Sequence, residues 1–306
     1  MANTTFSGPV RSENGFTKAS KSSSTGEIID VSVNSSANKD VRRYCLEEYF
    51  KRRPALNAVL NTAFSDADAT AAANTAIRLA EKVANKDFEA LGTSMTTALC
   101  TFDTTRAGII ITTGGTDQNQ AIIAPHLDTN QTSWQTVPWG TENQVIWECS
   151  VTTAASIADI KLWSGLKLTN DQLIATDADQ AFFKFQTDAT NSEVFSDYTL
   201  LHFVHSIGGT DYISALPITV AADTQYHLKI VIDSGRKAAI YVNGIQYDVT
   251  TTSGSTGGTA VTRGTDKTAA LTDDVDLIPY IGVETGAGSA KALKVHWQAI
   301  SRIIYE

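Results

Sequence analysis

The chain holds little of what usually announces a function. Its 306 residues include three cysteines, two methionines and six prolines. No run reaches about 18 apolar residues, so no membrane-spanning helix is expected. Cys45, Cys100 and Cys149 are odd in number and widely spaced, which excludes a fully paired disulfide framework and gives no metal-ligand spacing; buried free thiols are expected. The opening Met1-Ala2-Asn3-Thr4-Thr5 has neither a basic stretch nor an apolar core behind it, so no secretory signal is expected. A basic balance is missing too: the net charge is −9, which argues against general nucleic-acid binding.

Catalytic strings are equally scarce. No Glu-x-Asp-x-x-Glu places two carboxylates on one strand face, the arrangement a retaining glycosidase of the jelly-roll kind requires. Glu148 and Glu284 each offer a single carboxylate on a strand. No G-x-S-x-G elbow occurs, and neither Gly114-Gly115 nor Asn119-Gln120 leads into the Lys-Ser/Thr of a phosphate loop. His202 and His205, three apart on a strand, point to opposite faces and cannot share one metal ion. His126, His227 and His296 are scattered. The expectation is a protein that is not an enzyme.

What is present is β-sheet. In Tyr226–Val249 the apolar Tyr226, Leu228, Ile230 and Ile232 alternate with His227, Lys229, Val231 and Asp233, so one face of an extended segment is apolar. Asp233–Arg236 reads as a turn, and Asn243-Gly244 tolerates positive φ at both positions and closes a type I′ hairpin into Ile245–Tyr247. Further short strands are expected at 98–103, 108–113, 120–124, 144–152, 160–168, 181–186, 200–206, 211–215, 278–283 and 292–304. Residues 250–276, rich in Thr, Gly and Ser, read as a long surface loop. This spacing is that of a sandwich.

Upstream the pattern differs. Residues 1–39 are polar, with apolar islands at Phe6, Phe16 and Ile28-Ile29, and read as an extended arm that cannot offset its ordering entropy alone. Residues 1–53 carry nine Lys/Arg and six acids, a net +3 against −12 for the rest. Phe6, Arg11, Phe16, Lys18, Lys21, Arg42 and Arg43 are therefore the expected anchors to an acidic partner surface. From Asp40 the spacing of Val41, Tyr44, Cys45, Glu48 and Tyr49 predicts a helix to Arg52, then one opened by Pro54 and an Ala-rich one from Ser65 to about Val83. The division expected is an arm 1–39, a helical stalk 40–84 and a β-sandwich 85–306.

The order of strands around Tyr226–Val249 resembles the concanavalin-like or laminin-G-like jelly roll. The stretches DFEALGTSM, GIIITTGGTDQNQAIIAPHLDTNQTSW and DDVDLIPYIGVETGAGSAKALKVHWQAISRI resemble structural proteins of tailed phages that infect marine bacteria. The resemblance implies a mainly β, two-sheet sandwich behind an arm and short helices. It also implies a virion location, as a capsid decoration, knob or appendage protein that meets the major capsid protein or other virion proteins as a homo-oligomer. The alternative is a carbohydrate-binding module for host-surface glycan, and a third reading is a glycoside hydrolase. Trp134 and Trp139, in a long loop, and Tyr198 are the expected glycan or subunit contacts. Trp147, Trp163 and Trp297, inside strand patterns, are expected in the core. No cofactor is expected. Sandwiches of the resembled kind often hold calcium at a loop rim, where Asp177 and Asp179, or Asp273, Asp274 and Asp276, would supply hard oxygens.

Overall fold

The computed structural model describes residues 18–21, 28–31, 43–51, 54–56, 88–125, 139–187, 193, 195–254, 256–257, 259–286 and 288–303. In chain order the strands are β1 (Lys18–Lys21), β2 (Ile28–Val31), β3 (Arg43–Glu48), β4 (Ala55–Leu56), β5 (Phe88–Leu91) and β6 (Cys100–Phe102). Then come β7 (Ile109–Thr112), β8 (Gln120–Pro125), β9 (Ile146–Thr153), β10 (Ile160–Lys167), β11 (Gln180–Gln186) and β12 (Leu200–Ile207). The last are β13 (Thr210–Thr219), β14 (Gln225–Ile232), β15 (Ala238–Val242), β16 (Ile245–Tyr247), β17 (Ile278–Thr285) and β18 (Ala292–Ile303).

Two sheets stack into a sandwich. Sheet I has the order β13-β12-β11-β10-β17-β8-β5-β4, antiparallel except where β4 runs parallel to β5. Sheet II has the order β16-β15-β14-β9-β18-β7-β6, and β3 pairs with the C-terminal half of β18 beyond β7. The strand register follows from period-2 alternation. Phe183, Phe185, Leu201, Phe203, Ile281 and Val283 of sheet I face Trp147, Val151, Leu228, Ile230, Ile240 and Val295 of sheet II in one buried core. The Asn243-Gly244 hairpin forms as expected, with φ of 52° and 79° and β15 paired to β16. No disulfide joins the cysteines: Cys45 is half-buried, and Cys100 and Cys149 are buried.

Over Arg43–Glu48 and Ala55–Leu56 the expectation of helix is corrected. Arg43–Glu48 is a strand, not a helix. Tyr44 and Leu46 turn toward the core while Cys45 and Glu47 turn away, a period of two that fits the side-chain pattern as well as the helical spacing does. Leu46 pairs with Ile300 and Cys45 with Ser301. Arg43, one of the expected anchors, donates to the Gln144 carbonyl at 2.6 Å and to Ser301 Oγ at 3.1 Å. Ala55-Leu56, expected in a second helix, is the short parallel strand on β5. Phe6, Arg11, Phe16 and Arg42 and the Ala-rich segment lie outside the described residues. Lys18 and Lys21 begin and end β1, which pairs with β2.

Candidate functional site

The outer face of sheet I is where polar chemistry collects. On β10 the inward residues leave Lys161, Trp163, Gly165 and Lys167 facing out, and on β11 they leave Gln180, Phe182, Lys184 and Gln186. Alignment across β11, β10, β17 and β8 then sets Gln186, Lys161, Glu284 and Gln120 in one row. Lys161 Nζ donates to Glu284 Oε1 at 2.6 Å, and Gln120 Nε2 donates to Glu284 Oε2 at 2.7 Å. The lysine and glutamate side chains are 0% and 3% exposed, so a full ion pair is held out of water within a sheet face. Such a pair contributes geometric specificity more readily than stability.

The rest of the outer face is a second, smaller core. Trp163, Phe182, Val204, Tyr280 and Ile122 are buried there under Ile174 and Phe195. Trp163 lies over Gly282, its register partner, where an added Cβ would come within 2.2 Å of the indole. Between this apolar patch and the loops opens a cleft of about 660 Å³. Lys161, Glu284 and Gln120 form its floor; Thr93, Asp117 and Gln118 form one wall, and residues 170–173 the other. Its volume falls inside the roughly 300–1,000 Å³ of small-molecule sites, yet its lining is mostly polar and, among the described residues, has no aromatic ring.

The second wall is fastened from below. Lys167 Nζ sits 2.9 Å from Asp177 Oδ2 and bonds Gln180, and Lys184 Nζ donates to both the carbonyl and the Oε1 of Gln172, each at 2.8 Å. Asp171 caps its own turn by accepting from Leu173 N at 2.9 Å and Thr176 Oγ1 at 3.0 Å. Leu173 is 38% exposed at the rim.

The residues singled out from sequence distribute differently. Glu148 lies on the outer face of sheet II, 3.3 Å from His227 and 3.8 Å from Lys229, so the sandwich separates it from Glu284. Trp139 is corrected as a contact residue: it is 1% exposed and packs 5.7 Å from Tyr44, with no face left for a sugar. Trp134 lies outside the described residues. Tyr198 is 37% exposed beside Phe195, away from the cleft lining. Trp147 is in the central core and Trp163 in the outer one. Trp297 is only half-buried, on the outside of sheet II between Tyr49 and His227. A bulge between Val295 and Trp297 shifts the alternation by one and turns the indole outward.

The acidic rims are already engaged by the chain. Asp177 holds Lys167 and accepts from Thr169, Asp179 accepts from Gly208 N and Thr272, and Asp273 faces Arg236 at 3.3 Å. Burial, then Asp274, pushes the Asp276 carboxyl up. Among the described residues no group of three or more His, Cys, Asp or Glu is arranged to hold a metal ion.

His202 and His205 do diverge to opposite faces, stacked on Phe195 at 4.0 Å and on Tyr212 at 4.6 Å. Burial pushes their pKa values down from 6.5 to about 4 and about 3. Both are bases whose folded pKa is depressed, so the unfolded chain takes up protons that the folded one refuses. Stability is therefore lost as pH falls from 6.5 toward these values. His205→Phe is expected to flatten that acid slope by one proton, about 1.4 kcal/mol per pH unit, measured by urea unfolding at stepped pH.

No protein-family model matches the chain, and no curated protein matches it. Solved structures similar to it include a protein of unknown function from Shewanella oneidensis MR-1, 9% identical over 85% of this chain and 86% of that one with a TM-score of 0.49. The metal-free carbohydrate recognition domain of Emp46p is 6% identical over 70% and 87%, with a TM-score of 0.40. A family 7 alginate lyase in complex with substrate is 14% identical over 69% and 85%, with a TM-score of 0.41. Likeness at this level assigns no activity.

Proposed function

We propose that the protein is a non-catalytic binding module for a neutral glycan, seated in the cleft on sheet I. The observation that carries the reading is the Lys161–Glu284–Gln120 row, its ion pair buried, at the floor of a roughly 660 Å³ polar cleft. Sugar hydroxyls both donate and accept hydrogen bonds, and the amides of Gln118, Gln120 and Asn170 do the same. Asp117 and Asp171 accept from hydroxyls and repel phosphate, sulfate and uronate groups. Leu173 offers an apolar contact for the C–H face of a ring. Displayed on a particle surface, as the sequence resemblance implies, such a cleft would serve attachment to host glycan, with residues upstream of β3 as the anchor.

Calorimetric titration of the full chain with neutral, anionic and cationic oligosaccharides tests this. Binding confined to neutral members is the expected result. Gln118→Ala and Asn170→Ala, both on the walls, are expected to weaken it by about 2- to 12-fold each, the worth of one hydrogen bond. Binding of anionic or cationic sugars alone would overturn the neutral-glycan reading, and steady shortening of the oligosaccharide during incubation would replace a binding role with a catalytic one.

A further inference from the structure

We infer that Lys184 is a protonation-controlled clamp on the cleft wall: as an ammonium it ties Gln172 down and holds residues 170–173 in binding position, and as a neutral amine it lets them loosen. The inference rests on the reading of the cleft as a glycan site. Its geometry does not. Lys184 projects from the middle of β11 with its side chain 0% exposed, and it donates to two acceptors of one loop residue, the carbonyl and the Oε1 of Gln172. Gln172 is itself buried, at 4%, and lines the cleft.

The groups around the amine come from every neighbouring element. Glu193, on the loop after β11, lies 3.6 Å away and is 21% exposed. It is also occupied, accepting from Ile174 N at 2.7 Å. Lys161 and Lys167 approach from β10, Glu284 from β17, and His202 is the register partner on β12. His202, depressed to about 4, is neutral near neutrality. Burial dominates: it lowers the Lys184 pKa to about 7, with Glu193 and Glu284 opposing and Lys167 and Lys161 adding to the shift. The amine's hydrogen bonds go to Gln172, while Glu193 supplies the leading attraction that opposes loss of the proton.

Hydrogen bonds from an ionised donor are roughly twice as strong as neutral ones. Loss of the proton weakens both bonds to Gln172 and removes the attraction to Glu193 in one step. Lys167 ties the far end of the loop separately, through Asp177 and Gln180. Glycan that needs the closed wall binds the protonated form, and binding near neutrality takes up a proton by linkage.

Two measurements on the full chain test the clamp. The first is amide hydrogen exchange across residues 168–179, corrected for intrinsic rates, between about pH 6 and about pH 9. The second is affinity for the bound neutral oligosaccharide over the same range. The wild type is expected to lose at least about fivefold in loop protection and in affinity as the amine deprotonates. Lys184→Arg, which stays charged, is expected to show neither loss, and Lys184→Met is expected to bind weakly at every pH. Loop protection that is pH-invariant in the wild type, or equally pH-dependent in Lys184→Arg, would overturn the clamp. A protection change without glycan binding at any pH would support the clamp and sink the glycan reading instead.

Discussion

Lys161→Met is expected to cost about 3–5 kcal/mol of unfolding free energy, because it leaves Glu284 buried without its charge partner. Glu284 is 3% exposed and accepts from Lys161 and from Gln120; one amide donor cannot replace an ammonium 2.6 Å away. The double variant Lys161→Met, Glu284→Leu removes both charges and is expected to recover to within about 1–2 kcal/mol of wild type. Chemical denaturation of the single and double variants closes the cycle. A double variant no more stable than the single would show that the pair is not the unit holding this face together. If the cleft is the glycan site, the double variant folds and binds nothing, which separates the row's chemical role from its structural one.

Gly165→Ala is expected to be nearly as damaging, about 2–4 kcal/mol from backbone strain and overpacking together. Gly165 has φ of 149°, and a Cβ there would sit 2.5 Å from Phe182 Cα and 2.8 Å from the Ala181 carbonyl oxygen. Those are backbone atoms of the directly paired strand, so no rotamer change relieves the clash, and β10 and β11 must part. The three nearest contacts of a Cβ at Gly282 are all on the Trp163 side chain and none is backbone, so Gly282→Ala is expected to cost less. Thermal unfolding of the two variants side by side checks the order; a milder Gly165→Ala would mean the strand pair yields more readily than its contacts imply.

Much of the sandwich was legible because it is local. The Asn243-Gly244 turn and the alternation in β14 follow from neighbours in sequence, and so does the divergence of His202 from His205. Arg43–Glu48 was not legible. Its residues satisfy helical and strand spacing alike, and the deciding partner, β18, lies more than 240 residues away. Trp297 was misplaced because a single-residue bulge is invisible to a period-two reading. The cleft escaped for another reason: its floor is drawn from β8, β10 and β17, and each contributes one unremarkable polar residue. A signal was nonetheless present. Lys161, Lys167 and Lys184 stand in strands that are otherwise mostly apolar, and a lysine repeatedly written into a buried face points to a face that is doing something other than packing.

The pairing of β3 with β18 also sets the timing of folding. Six register pairs, from Gln298–Glu48 to Ile303–Arg43, close that edge of sheet II. On the ribosome β3 emerges early and then waits for some 250 further residues, about ten to fifty seconds at about 5–20 residues per second. Throughout that interval Tyr44 and Leu46 have no sheet to join, and the nascent chain carries an unpaired strand that another polypeptide could capture. The fold is thus finished by its last strand, and any lesion that stops synthesis short of β18 leaves the first half of the chain adhesive.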